Sequence, residues 1–162
     1  MSARIAMVVF SYYPADTRPR REAEALIKEG IFVDVICLRR DFELKKEIVN
    51  NVCVYRLPLK RRRGGKLRYL WEYSCFIMMS FFALSFLFIR EQYKVIHVHN
   101  MPDILVFSSL IPRLCGSKII LDLHDPMPEL FMAKYNIKKE NWVIRILRLQ
   151  EKHSIRFADI VL

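Results

Sequence analysis

Short, uninterrupted apolar runs set this chain's architecture. Ile5-Ala6-Met7-Val8-Val9-Phe10 is the first of them. It is too short for an independent helix and lacks polar alternation, which suits a strand buried on both faces, as in a parallel sheet. A loop over residues 11–18 follows, holding Pro14 and Asp16, and Pro19 then opens a helix at the position proline favours. Ala23, Leu26 and Ile27 fall on one helical face, and Gly30 ends the helix. Residues 31–38 form the next strand. This is a βαβ unit with short connections, which implies a right-handed parallel crossover.

The same pattern continues. Strands are expected at 51–57, 94–98 and 117–123, and a sixth begins at 159–162. Helices are expected at 102–114, 128–134 and 141–157. In the last, Trp142, Val143, Ile146 and Leu147 share a face, with Arg145, Arg148, Glu151 and Lys152 opposite. Alternating strands and helices indicate an α/β fold, a Rossmann-like doubly wound parallel sheet. The 162 residues suffice for a single domain with one core. No internal repeat or low-complexity linker interrupts it.

Between two of these strands lies a different kind of segment. Residues 60–68 carry six positive charges, on Lys60, Arg61, Arg62, Arg63, Lys66 and Arg68, and no negative one. Residues 69–89 then carry one charge, Glu72. That is long enough to cross a bilayer, which needs about 20 apolar residues. Three readings stay open: a spanning helix, a helix packed on the sheet and dipped into the membrane interface, or a buried core helix. Topology favours the second, because strands on both sides must join one sheet. Trp71 and the basic cluster would then contact anionic lipid on the cytoplasmic side. A solvated loop is the plainer reading of the basic run.

The overall balance agrees with such a partner. Lys and Arg number 27 against 17 Asp and Glu, a net charge of +10, which favours phosphate-bearing surfaces and ligands. Nucleic acid is not expected, since no basic patch is interleaved with aromatic residues for stacking. Cys37, Cys53, Cys75 and Cys115 are not in CxxC spacing and sit in apolar stretches, so they read as reduced thiols, without a zinc site. No signal peptide is read at the N-terminus.

Polar chemistry gathers in three loops after strands. The first lacks GxGxxG, so a dinucleotide is not expected there. It does bring Asp16, Arg18, Arg20 and Arg21 to a helix N-terminus, where backbone amides and arginine favour an anion; plain surface charge is the alternative. The second holds His97, His99, Asn100 and Asp103, and the third Asp122, His124, Asp125 and Glu129. In open α/β sheets the ligand crevice lies on this edge. His97 and His99 are expected on opposite faces of their strand, which argues against a shared metal, and His97 is read as structural. Asp103 is a candidate helix cap and Glu129 a first-turn dipole partner or a ligand. Asp122 or Asp125 would orient the His124 ring or hold a substrate hydroxyl.

The segment Tyr13-Pro14-Ala15-Asp16-Thr17-Arg18-Pro19-Arg20-Arg21-Glu22-Ala23-Glu24-Ala25-Leu26 resembles the N-terminal domain of family 4 retaining GT-B glycosyltransferases. Gly30, Val33-Asp34-Val35, His97-Val98-His99 and Asp122-Leu123-His124-Asp125-Pro126-Met127-Pro128-Glu129-Leu130 match the same family in order and spacing. The resemblance covers residues 3–162. It implies one Rossmann-like half of a two-domain enzyme, the half that binds the acceptor. It implies transfer from a nucleotide-sugar co-substrate with retention, without metal or other cofactor. By position, His124 matches the family histidine near the donor sugar, and Asp16 and Arg18 match the loop that approaches the donor diphosphate and acceptor. The family's glycine-rich version of that loop is replaced here.

The family's second, nucleotide-sugar-binding domain is not read in these residues. Sugar transfer by this chain alone is therefore expected to be weak or nil. A lipid-linked acceptor, in cell-surface polysaccharide synthesis, fits the basic run and apolar helix better than a soluble glycan. The competing reading is a non-catalytic, membrane-docked Rossmann subunit that recruits a separate catalytic half. The reading frame beyond Leu162 separates the two.

Overall fold

The computed structural model describes residues 3–61, 65–124, 126–136 and 138–162. Arg62, Arg63, Asp125 and the Lys66 side chain lie outside the described residues. Seven strands form one sheet in the order β3-β4-β2-β1-β5-β6-β7. They are β1 (Arg4–Val9), β2 (Phe32–Leu38), β3 (Lys46–Val49), β4 (Val52–Leu57), β5 (Val95–His99), β6 (Lys118–Asp122) and β7 (Ile160–Val161). Every neighbouring pair is parallel except β3 with β4. This is the expected Rossmann-like α/β sheet, with one more strand.

The extra strand is β3, a charged edge strand that pairs as a hairpin with β4. Its sequence, Lys46-Glu47-Ile48-Val49, has too few apolar residues to mark it, as suits an edge kept from aggregating. The turn is Asn50-Asn51, with φ of 51° and 65°. Asparagine tolerates that left-handed backbone, and paired positive φ values twist the hairpin correctly.

Helix α1 (Thr17–Lys28) covers one face of the sheet. Ala23 is buried, and Leu26 and Ile27 pack with it on Met7, Val9, Val33, Val35 and Cys37. It starts two residues before the expected Pro19, because Asp16 caps it by accepting from Arg18 N at 3.3 Å. Pro19 still falls in the first turn, where its missing N–H costs nothing. Gly30, at φ 75°, follows the C-cap as expected.

The other face carries α2 (Lys66–Glu91), a 3₁₀ helix (Asp103–Ser109) and α5 (Trp142–Phe157). The expected single helix over 102–114 is divided: the 3₁₀ segment gives way to a short α3 (Leu110–Leu114). Helix α4 (Met127–Tyr135) packs on α5. The four apolar residues expected on one face of α5 divide, with Val143 and Leu147 half-buried. Trp142 and Ile146 are exposed, while Ile144 and Ser154 are fully buried. The helix carries two apolar stripes, and packing on the 3₁₀ helix, including Phe157 against Phe107 with ring centroids 4.8 Å apart, selects the second.

Helix α2 has two unlike faces. Phe76, Ser80, Leu84 and Leu87 turn into the core beside Phe10, Leu38 and Val98. Trp71, Met78, Phe82, Phe86 and Ile89, spaced by seven, four, four and three residues, fall on the opposite face and are all more than half exposed. Only 28% of the helix's most apolar stretch is buried, so α2 is not a fully enclosed core helix.

Candidate functional site

The carboxyl ends of β1, β5 and β6 open onto a cleft of about 130 Å³. Adjacent parallel strands align Val9 with His99 and His99 with Asp122, so the loops that follow them converge at one place. Asp16, Arg18, His99, Asn100 and His124 line the cleft, with Arg61, Tyr73 and Met101. Five of the expected site residues are therefore brought together.

Several others are not. Arg20 is absent from the cleft wall: two residues beyond Arg18 on a helix, it points away and lies near Tyr13 instead. Asp103 is buried and accepts from Asn100 Nδ2 at 3.0 Å, so it fixes the cleft residue Asn100 and does not line the cleft itself. Its helix is capped by Pro102, with Asp103 inside the first turn. Glu129 is exposed in the first turn of α4, which fits the dipole role. Of the basic run, Lys60 pairs with Asp41, and Arg68 Nε lies 3.1 Å from Glu72 Oε1. Those two cations are not fully available to lipid phosphates. Arg61 departs further from expectation. Its backbone N–H donates to Tyr12 Oη at 2.9 Å and its guanidinium sits over Phe10, which sets the side chain in the cleft wall.

Asp122 organises the base of the site. Its Oδ2 lies 3.1 Å from His99 Nδ1 and 3.3 Å from His124 Nδ1. Burial raises a carboxyl pKa, but the bond to His99, the proximity of His124 and Arg18 outweigh it and hold Asp122 down to about 2. It is thus a firm carboxylate, hydrogen-bonded to His99 and within ion-pair distance of His124. His99 Nδ1 must be the donor in that bond, because an ionised carboxylate only accepts.

His97 and His99 do not diverge as expected. Residues two apart on a strand share a face, so both rings emerge toward α1, with centroids 4.3 Å apart. There they meet Glu22, whose Oε2 lies 3.5 Å from His97 Nδ1 and 3.6 Å from His99 Nε2. Burial, aided by the His99 ring, drives the His97 pKa down to about 4, so its imidazole is neutral at physiological pH. Burial also raises the Glu22 carboxyl, with His99 opposing and Asp122 adding. Glu22 had no mark as a site residue in the sequence, since only the crossover of α1 over β5 brings it to the histidines.

A second, apolar groove of about 220 Å³ adjoins the cleft. Tyr69, Met127, Leu130, Phe131 and Tyr135 line it, and it shares Arg61, Tyr73 and Met101 with the cleft. A basic, polar pocket thus runs into an aromatic channel bounded by the first turns of α2 and by α4.

The sequence profile of Glycosyltransferase Family 4 matches residues 17–162. The chain belongs to that family. As a family 4 domain it has the expected relatives in fold. A sucrose-phosphate synthase from Thermosynechococcus elongatus superposes with a TM-score of 0.65 at 15% identity, over 99% of this chain and 42% of that one. MurG from Acinetobacter baumannii gives 0.57 at 12% identity, over 98% and 40%. A glycosyltransferase from Rickettsia africae gives 0.51 at 13% identity, over 83% and 34%. The family 4 chain therefore spans about two fifths or less of the length of these structures. No curated protein sequence matches it significantly.

Proposed function

We propose that this domain forms the acceptor-side wall of a retaining glycosyltransferase at the cytoplasmic face of a membrane, with a lipid-linked phosphate as acceptor. The observation that carries the reading is the continuity of the basic cleft with the aromatic groove through Arg61, Tyr73 and Met101. An acceptor of phosphate attached to a long apolar chain has this same division. Arg18 and Arg61 supply charge-assisted donors for the phosphate. Tyr69, Phe131 and Tyr135 supply apolar surface for the first part of the chain. The exposed stripe from Trp71 to Ile89 lies in the interface, where an amphipathic surface with adjacent cations binds anionic lipid.

His124 lines the space that a donor sugar would enter, with the Asp122 carboxylate 3.3 Å from its Nδ1. In such a transfer the acceptor oxygen bonds to the anomeric carbon as the nucleotide diphosphate leaves. That leaving charge must be neutralised in the transition state. A donor-side domain supplies this, so transfer by these 162 residues alone is weak or nil. An assay of the purified chain with candidate nucleotide-sugars and a polyprenyl-phosphate acceptor tests the point: robust turnover without any partner contradicts it.

A further inference from the structure

The cluster beneath α1 has an electrostatic conflict at its centre. Asp122 accepts a hydrogen bond from His99 Nδ1, and in the neutral ring that tautomer leaves a lone pair on Nε2. That lone pair points at another acceptor, Glu22 Oε2, 3.6 Å away. Oε2 also faces His97 Nδ1 at 3.5 Å, and neither contact is a hydrogen bond. Glu22 Oε2, His97 Nε2 and His99 Nε2 are all buried without a hydrogen-bond partner among the described residues. His97 is 8% exposed and His99 1%. Buried acceptors that face each other are costly unless something positive sits between them.

We propose that Glu22, His97 and His99 bind a divalent transition-metal ion, with zinc the best fit. One donor atom from each residue falls within 4.8 Å of the others. The two measured separations from Glu22 are close to the edge of a tetrahedron with ligands about 2.0–2.1 Å from zinc, roughly 3.4 Å, while the 4.8 Å span of the cluster is wider, so its donor atoms close up as the ion enters. Two imidazoles and one carboxylate suit zinc, and they disfavour calcium or magnesium, which want oxygen alone. Asp122, bonded to His99 Nδ1, has the geometry of the carboxylate that orients a metal-bound histidine from its far ring nitrogen. Glu22 is the most open of the three, with 35% of its side chain exposed, although its Oε2 is buried against the histidines.

The ion takes no part in sugar transfer. It ties α1 to β5, and so holds the start of α1, with Asp16 and Arg18, against the cleft. The proposal is independent of the acceptor assigned above.

Calorimetric titration of the metal-stripped protein with zinc chloride, with magnesium chloride as control, tests it. The expected result is one zinc per chain, no magnesium binding, and a higher Tm with zinc. Glu22→Gln keeps the side-chain shape on a partly exposed helix position and should weaken zinc binding on the order of 10-fold or more. Asp122→Asn should weaken it by about 10- to 100-fold. Cys115→Ser, at the exposed thiol, should leave it unchanged. Absence of zinc binding at millimolar concentration overturns the proposal and leaves a proton shared between Glu22 and His99 as the resolution of the conflict. Equal affinity in Glu22→Gln and the native protein, or loss of binding in Cys115→Ser, overturns it too.

Discussion

Asp34 is a carboxylate in the interior of a parallel sheet, 1% exposed, and it survives there because it is fully engaged. Tyr93 Oη donates to it at 2.6 Å and Arg4 Nη1 at 3.3 Å. Burial raises its pKa, against the pull of Tyr93 and Arg4. A raised folded pKa means the folded state binds the proton more tightly, so this group's contribution declines as pH rises above the ordinary carboxylate range. Tyr93→Phe should cost about 1–3 kcal/mol in urea unfolding at pH 7, with a smaller deficit at pH 5. An equal deficit at both would contradict the account. Cys37 gives a second reading of the same physics. Burial pushes its thiol up to about 11, while Cys115 is exposed. At pH 8 a thiol reagent should modify Cys115 rapidly and Cys37 only on unfolding. Cys37 should also lose its stabilising share as pH rises from the ordinary thiol range toward 11. At this scale the sequence was legible only in part. Asp16, Arg18, His99, Asn100 and His124 could be picked out because loops after parallel strands converge. Glu22 could not, and Arg61 was read as a lipid contact, since tertiary placement alone puts both of them at the site.

The elements were more legible where burial is uniform than where it is divided. β1, β2 and β5 carry almost continuous apolar runs, and their register follows from parallel pairing. β3 escaped notice because an edge strand needs polar residues. Its turn offers a test: Asn51→Gly, at φ 65°, should be neutral or add up to about 1 kcal/mol to stability, because glycine suits that turn position. A clear loss would show that the Asn51 side chain does more than tolerate the backbone. Helix α2 separates two functions by face. Leu84→Ala, on the buried face, should cost about 2–5 kcal/mol. Phe82→Ser with Phe86→Ser, on the exposed face, should change stability by no more than about 0.5 kcal/mol per site. The pair should nevertheless reduce flotation with anionic liposomes. Retained flotation would remove α2 from the membrane contact.

As a whole, the molecule is a family 4 sheet with one face under α1 and the other under α2, the 3₁₀ helix and α5, and its polar chemistry sits along a single edge. The net charge of +10 favours an anionic partner without identifying it. The identification rests on where cations meet aromatic surface, at Arg61, Tyr73 and Met101. The most direct test is equilibrium binding of a short-chain polyprenyl phosphate to the purified chain, beside a panel of nucleotide-sugars. The account predicts saturable binding of the polyprenyl phosphate, weakened on the order of 10-fold by Arg18→Ala, and no saturable binding of any nucleotide-sugar. Tight binding of a nucleotide-sugar together with none of the polyprenyl phosphate would contradict it.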